Sequence, residues 1–225
     1  MTPLARVLAV AGKELLVEWR HRTRFIAVLT FAVAILLLVA FAAPSTHLLP
    51  QLAGGTLWIG ILLASARSLD ISFAVELEDG ALEGLVLWPV SAPALFYGKA
   101  LANTALLLGV GLALTPALLV LYNPPFSEGL VPYLGVLVLG CLAVAAPGTL
   151  IAAITAQARG ASALLPVLLF PLVVPVVMAS AAATTLCLEG DPMNQLDDWM
   201  LVLGLFNLIH WSIDGLLFAR VVDDG

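Results

Sequence analysis

Six stretches of this chain are long and apolar enough to cross a lipid bilayer, and they restrict the fold more than any single motif does. A membrane-spanning helix needs roughly 20 mainly apolar residues. The stretches 25–43, 52–68, 100–122, 131–155, 162–188 and 199–218 meet that need. The second is the least apolar, because Arg67 and Asp70 crowd its end, but Trp58 and the run 57–63 keep it in the set. With 62% hydrophobic and only 11% charged residues, the chain lies far outside the range of soluble domains. No water is present in hydrocarbon to satisfy backbone groups, so each span must satisfy its own, which a helix does. The expected fold is therefore an all-α membrane protein, with one transmembrane domain over residues 1–225.

The basic residues orient it. Arg6, Lys13, Arg20, Arg22 and Arg24 precede span 1, Arg67 and Lys99 bracket the loop between spans 2 and 3, Arg159 lies between spans 4 and 5, and Arg220 follows span 6. Along an alternating path all nine fall on one side, and the opposite loops, 44–51, 123–130 and 189–198, contain no Lys or Arg. Positive charge stays on the cytoplasmic side, so both termini and the 70–99 loop are expected in the cytoplasm of an inner-membrane protein. The first apolar run, about 19 residues, exceeds the ~7–15 of a signal-peptide core, so an uncleaved first span is expected despite Ala40-Phe41-Ala42. Cys141 and Cys187 fall inside spans and form no CxxC or CxxCH, which indicates neither a redox pair nor covalent haem attachment.

Residues 1–24 carry a second pattern. At 100° per residue, Leu4, Leu8, Ala11, Leu15 and Trp19 share one face of a helix. Arg6, Lys13 and Arg20 recur every seven residues on the opposite side, with Arg24 beside them. This predicts an amphipathic helix in the cytoplasmic interface, its apolar side in the acyl boundary and its basic stripe toward lipid phosphates.

The 70–99 loop is acidic and punctuated by glycine. Asp70, Glu76, Glu78, Asp79 and Glu83 put five carboxylates where hydrocarbon would not tolerate them. Ser72, Glu76, Asp79 and Glu83 would share one side of a helix, beside an apolar stripe of Phe73, Leu77 and Ala81. Asp79-Gly80 is a local break. The expectation is a helix running in from span 2, a kink at Asp79-Gly80, and a short helix over 81–87 stopped by Pro89. A short amphipathic helix with an acidic rim suits docking to a soluble partner.

Glu78-Asp79-Gly80-Ala81-Leu82-Glu83-x-Leu85-x-Leu87-x-Pro89, followed by Lys99, resembles the cytoplasmic loop of the cytochrome c maturation permease family, haem exporter protein B (CcmB). Gly55-Thr56-Leu57-Trp58, leading through Leu69-Asp70 to Phe73, resembles that family's second span. Pro147-Gly148, Arg159-Gly160 and the proline-rich run from Leu164 through Pro166, Pro171 and Pro175 resemble its fourth and fifth spans, and Glu14-Leu15 with Arg20 fits its N-terminal pattern. The resemblance covers nearly the whole chain. Arg67, which interrupts the end of span 2, and the tail 221–225 depart from it.

The resemblance implies an ABC-2-like permease subunit of an ABC transporter complex in cytochrome c maturation, serving haem export or ATP-driven release of the haem chaperone. It implies a separate ABC ATPase (CcmA-like), a haem-handling membrane protein (CcmC-like), a small membrane subunit, the haem chaperone and two copies of this chain per complex. It also implies an ATPase-coupling loop built from Glu76, Glu78, Asp79, Gly80, Leu82, Glu83, Leu85, Pro89 and Lys99. The chain contains no GxxxxGKS or GxxxxGKT, so no cofactor is expected on it directly, with ATP on the partner and haem on the wider complex. No enzyme activity, metal site or nucleic-acid partner is expected, since no Ser-His-Asp set, metal cluster or HExxH occurs.

Pro166, Pro171 and Pro175 each remove a backbone hydrogen bond in a helix and form a candidate hinge. His21, His47 and His210 have no ligand spacing; His210 and Asp214, four residues apart, are placed to hydrogen-bond, with Asp214 near the cytoplasmic end within reach of water. Two other classes share parts of this pattern: an ABC-2 permease exporting a lipid, glycan or drug, and a membrane scaffold without an ATPase.

Overall fold

The computed structural model describes residues 2–20, 22–78, 91–157 and 164–223, the side chains of 22–24, 67, 70–78, 157 and 221–223 excepted. The described chain folds into α1 (Pro3–Arg20), α2 (Arg22–Ala42), a 3-10 turn (Thr46–Leu48), α3 (Leu49–Glu78), α4 (Ala92–Tyr122), α5 (Leu130–Gln157), α6 (Leu164–Glu189) and α7 (Leu196–Asp223). No strand occurs among the described residues, and six of these helices are long and apolar enough to span a bilayer. They coincide with the six expected spans.

One boundary differs substantially. The 70–99 loop is helical at its near end, because α3 runs on to Glu78 as expected. It is helical at its far end too, because α4 starts at Ala92, eight residues before the expected span. Ser91 precedes α4 in extended conformation, its carbonyl accepts from the N–H groups of Ala94 and Leu95, and Pro93 sits in the first turn. Proline's fixed φ suits that position, where its missing N–H would have had no partner. Burial of Ala94, Leu95, Phe96, Gly98 and Lys99 then holds the turn against the bundle. Pro166 lies in the first described turn of α6, and Pro171 and Pro175 lie in the interior of that helix. Pro116 in α4 and Pro147 in α5 are interior as well.

The centre of the bundle is α3, α4, α5 and α6, with α5 the most enclosed. α2 flanks α3 and α4, α7 covers α5 and α6, and α1 lies along α4. Lipid tails are as apolar as leucine, so close packing and hydrogen bonds between helices hold such a bundle, each bond worth about 0.6–2 kcal/mol. The Trp58 Nε1–H donates to Thr184 Oγ1 at 2.8 Å, joining α3 to α6. Tyr122 donates to the Leu36 carbonyl at 2.9 Å, joining α4 to α2, and Tyr133 shares a 2.7 Å bond with Thr115, joining α5 to α4. Asn207 and Trp211 of α7 donate to the Leu139 and Leu142 carbonyls of α5 at 2.9 and 3.1 Å. Gly140 lies directly under the Trp58 ring, and a Cβ there would fall on its carbons. Cys141 and Cys187 are unpaired and buried.

The end of the bundle remote from α1 is closed by two loops. Asn123 ends α4 with φ 44°, and Gly190 ends α6 with φ 110°, its N–H donating to the Leu186 carbonyl at 2.8 Å. The α4–α5 loop then covers the end of α6. The Ser127 and Glu128 N–H groups donate to the Leu188 and Cys187 carbonyls at 3.0 and 3.1 Å, and the Asp191 N–H donates to Glu128 Oε1 at 3.0 Å. The last carbonyls of a helix have no intrahelical partner, so this loop supplies what α6 lacks.

Asp191 fastens the same loop to α7, its carboxylate accepting from the Gln195 and Leu196 N–H groups at 2.9 and 2.7 Å. Desolvation pushes the Asp191 carboxyl up, but backbone donation from Leu196, Gln195, Met193 and Asn194 outweighs it and leaves the group below its ordinary value. A depressed carboxyl stabilises the fold above its ordinary value, and that contribution is lost as pH falls through the lower folded value. Thermal unfolding in detergent should show wild type more stable than Asp191→Asn near neutral pH, with the gap closing below the ordinary carboxylate range.

Candidate functional site

At the opposite end, α1 meets α4. The amphipathic reading of α1 anticipates two faces, and the helix presents three. Leu4, Leu8, Leu15, Leu16 and Trp19 are exposed as one stripe, while Lys13 and Arg20 are exposed on another with Arg6 half-buried beside them. Between the two runs a packed stripe of Val7, Val10, Ala11 and Glu14. Val10 sits against Gly98 of α4, where a Cβ would come within 2.5 Å of the Val10 Cβ. Ala11, expected in the acyl boundary with the leucines, is buried in the protein instead, because its small side chain allows α1 to approach its neighbour.

One residue further along α4, the Lys99 ammonium donates to Glu14 Oε1 at 3.2 Å. The Lys99 side chain is only 3% exposed and that of Glu14 16%. Lys13 lies 3.6 Å from the same carboxylate oxygen, with a mostly exposed side chain. Lys99 was expected in a solvated loop; it is instead a buried partner of α1. A buried ammonium costs several kcal/mol of lost hydration unless a counter-charge faces it, and Glu14 provides that charge.

Beneath this pair lies a cavity of about 40 Å³. Its walls come from four helices: Glu14 and Glu18 of α1, Ser68 and Leu69 of α3, Lys99 and Asn103 of α4, and Thr149 of α5. The Asn103 side chain is buried, and neither end of its amide hydrogen-bonds to protein. The Ser65 hydroxyl, one turn along α3, is likewise unpaired and buried.

The other expected site residues are dispersed. Glu76 and Glu78 occupy the last turn of α3. Asp79, Gly80, Leu82, Glu83, Leu85 and Pro89, the expected kink and the short helix over 81–87 lie outside the described residues, as does His21. Arg24 is in the first turn of α2, and the side chains of Arg24, Arg67 and Asp70 lie outside the described ones. His47 is exposed in the 3-10 turn. His210 Nδ1 shares a 3.0 Å hydrogen bond with Asp214 Oδ2, as their spacing anticipates, and Phe206 packs on the imidazole with ring centroids 4.1 Å apart. Asp214 is buried rather than within reach of water. Gly215 beside it lies against the Tyr97 ring of α4, so the two helices close over the carboxylate. Among the described residues no group of three His, Cys, Asp or Glu side chains is arranged to hold a metal ion.

Six apolar helices joined by interhelical hydrogen bonds, with an amphipathic helix fastened to one end, define an all-α multi-pass membrane protein. Residues 5–222 match the family model described as CcmB protein, and the chain belongs to that family. It is 37% identical to Heme exporter protein B of Rhodobacter capsulatus over 165 residues, 72% of this chain and 74% of that one. It is 36% identical to Heme exporter protein B of Paracoccus denitrificans over 173 residues, 75% of this chain and 78% of that one. The namesake protein of Pseudomonas aeruginosa is 32% identical over 164 residues, 73% of each chain.

Proposed function

We propose that this chain is the membrane-spanning permease subunit of an ATP-driven complex of cytochrome c maturation, acting in haem export or release of the haem chaperone. The names carried by its relatives support the substrate class. The observation that carries the mechanical reading is the length of α3 and α4. α3 has 30 residues and α4 has 31, about 45 Å each at ~1.5 Å per residue, against a hydrocarbon core of about 30 Å. Both are longer than the hydrocarbon core, and in this reading the excess of each extends into the cytoplasm at the edges of segment 79–91. A partner pressing on that segment would move both helices, and α1 with α4.

In this reading the segment with Asp79, Gly80, Leu82, Glu83, Leu85 and Pro89 docks a CcmA-like ATPase that holds the ATP, and Lys99 transmits the push to α1. Arg6, Lys13, Arg20 and Arg24 face anionic lipid, and Pro171 and Pro175 allow α6 to bend. Two copies serve two ATPases in the inner membrane, with both termini cytoplasmic. Haem is handled by a CcmC-like partner, together with a small membrane subunit and the haem chaperone.

The test is co-purification from native membranes in mild detergent with an ATPase assay. Wild type should recover an ATPase and haem-handling proteins. Glu83→Lys should insert normally yet recover about tenfold less ATPase, equivalent to about 1.4 kcal/mol, while Glu83→Gln has little effect. An ATPase recovered with lipid, glycan or drug transport and no haem-handling protein would point to a general exporter. Undiminished ATPase recovery by Glu83→Lys would remove the docking role.

A further inference from the structure

The cavity beside Glu14 and Lys99 is partly open, is walled by Leu15, Leu69, Ala102 and Leu106 as well as by polar groups, and has the volume and the orphaned amide of a hydration site. A buried amide with neither end satisfied is costly, and native proteins rarely carry one without water or a ligand against it. Asn103 is such a group, 8% exposed with both Nδ2 and Oδ1 lacking a protein partner. A water needs ~10–15 Å³ of accessible space and two to four polar partners. The cavity offers about 40 Å³, which is room for about two or three waters. The polar partners are on its walls: the Asn103 amide, the Glu14 and Glu18 carboxylates, and the Ser68 and Thr149 hydroxyls. Thr149 donates to the Ala145 carbonyl at 2.8 Å, which leaves its oxygen to accept.

We propose that this cavity is a built water site, in which Asn103 anchors two or three ordered waters that bridge α1 to α3, α4 and α5. Asn103 Nδ2 donates into the cavity and its Oδ1 accepts, so the waters it holds carry hydrogen bonds on to the carboxylates of α1. The Glu14–Lys99 pair is thereby solvated from below as well as bonded directly. The two ends of the bundle differ accordingly. The far end is fastened by bonds between Ser127, Glu128, Asp191 and the end of α6, whereas α1 is held by the Glu14–Lys99 pair and the Val10–Gly98 contact with exchangeable water beside them.

Radiolytic hydroxyl labelling of the purified full-length chain, read by mass spectrometry, tests it, because radicals form at bound water and mark the side chains it touches. Leu69 lines the cavity and is 3% exposed; Leu107, on the same helix as Asn103, is 0% exposed and lines no part of it. Leu69 should be labelled several-fold faster than Leu107 in the wild-type chain, and Asn103→Leu should bring it down to the Leu107 rate. Equal labelling of the two leucines in wild type would overturn the proposal, and that reading needs no variant to fold. Thermal unfolding supplies a second arm. A dry cavity makes Asn103→Leu stabilising, since it removes an orphaned amide and fills space, whereas a water site leaves the variant no more stable than wild type. A raised Tm would therefore also count against it.

Discussion

A chain carrying Gly140→Val is expected to lose its native packing at the centre of the bundle, by about 3 kcal/mol or more in detergent unfolding. The reason is the indole beside it. Trp58 is fully buried, and its Nε1–H is committed to Thr184 Oγ1. The new Cβ would fall on the far edge of the ring and within 2.6 Å of the Ser180 hydroxyl. The indole cannot turn aside without breaking its bond to α6, and holding its place would push α3 away from α5. The cause is separable from helix propensity, since valine is tolerated in membrane helices. Reducing the ring with Trp58→Leu in the Gly140→Val background should recover part of the loss, whereas Trp58→Leu alone should destabilise by leaving a cavity. Trp58→Phe keeps most of the ring and removes the hydrogen bond, so it should cost only about 1 kcal/mol. Gly140→Ala already supplies the clashing Cβ and should be costly too; no rescue of either variant by the smaller residue at 58 would mean that the close approach is not the cause.

The second large effect concerns the charge pair. Lys99→Met should destabilise the junction of α1 with α4 by about 2 kcal/mol, because it leaves the partly buried Glu14 carboxylate facing only the mostly exposed Lys13 ammonium 3.6 Å away. Both residues make further contacts, so the loss is not that of one bond. The sharper expectation is non-additivity. Glu14→Gln combined with Lys99→Met removes both charges together and should be milder than Lys99→Met alone by at least about 1 kcal/mol. Limited trypsin digestion gives a local readout, since Arg6, Lys13 and Arg20 all lie on α1. Cleavage at Lys13 should accelerate in Lys99→Met and return toward wild type in the double variant. Unchanged cleavage would show that α1 stays on α4 through Val10 and Gly98 alone.

The features legible from the sequence are those set by a local period. The spans are legible because a bilayer imposes one length and one composition on every crossing segment, and the His210–Asp214 bond because its partners are one turn apart. The start of α4 was obscured by Tyr97, Gly98 and Lys99, which look like the edge of a loop until Ser91 and Pro93 are recognised as a helix start. The burial of Lys99 is not legible locally, for a physical reason. A lysine at the end of an apolar run normally reaches for water, and only the approach of α1, 85 residues earlier in the chain, makes burial the better solution. Glu14 was open to discovery, since it is a carboxylate on the α1 stripe that belongs neither to the leucines nor to the arginines. Trp58 and Thr184 are 126 positions apart, and nothing local in either segment announces the other. The same holds for Glu128 with Asp191. The role of Asn103 depends on a void between four helices, which no single helix encodes.

The buried cysteines have a practical consequence. Cys141 and Cys187 are both enclosed between helices and paired to nothing, so the natural protein should stay silent toward a maleimide that cannot cross lipid. A single thiol placed at Met193, in the exposed turn before α7, or at Lys13 on α1 would then be the only reactive one present. The chain is thus its own blank for chemical mapping of the two membrane faces, with no prior replacement of its native residues and no disturbance to the contacts that hold α5 and α6 together.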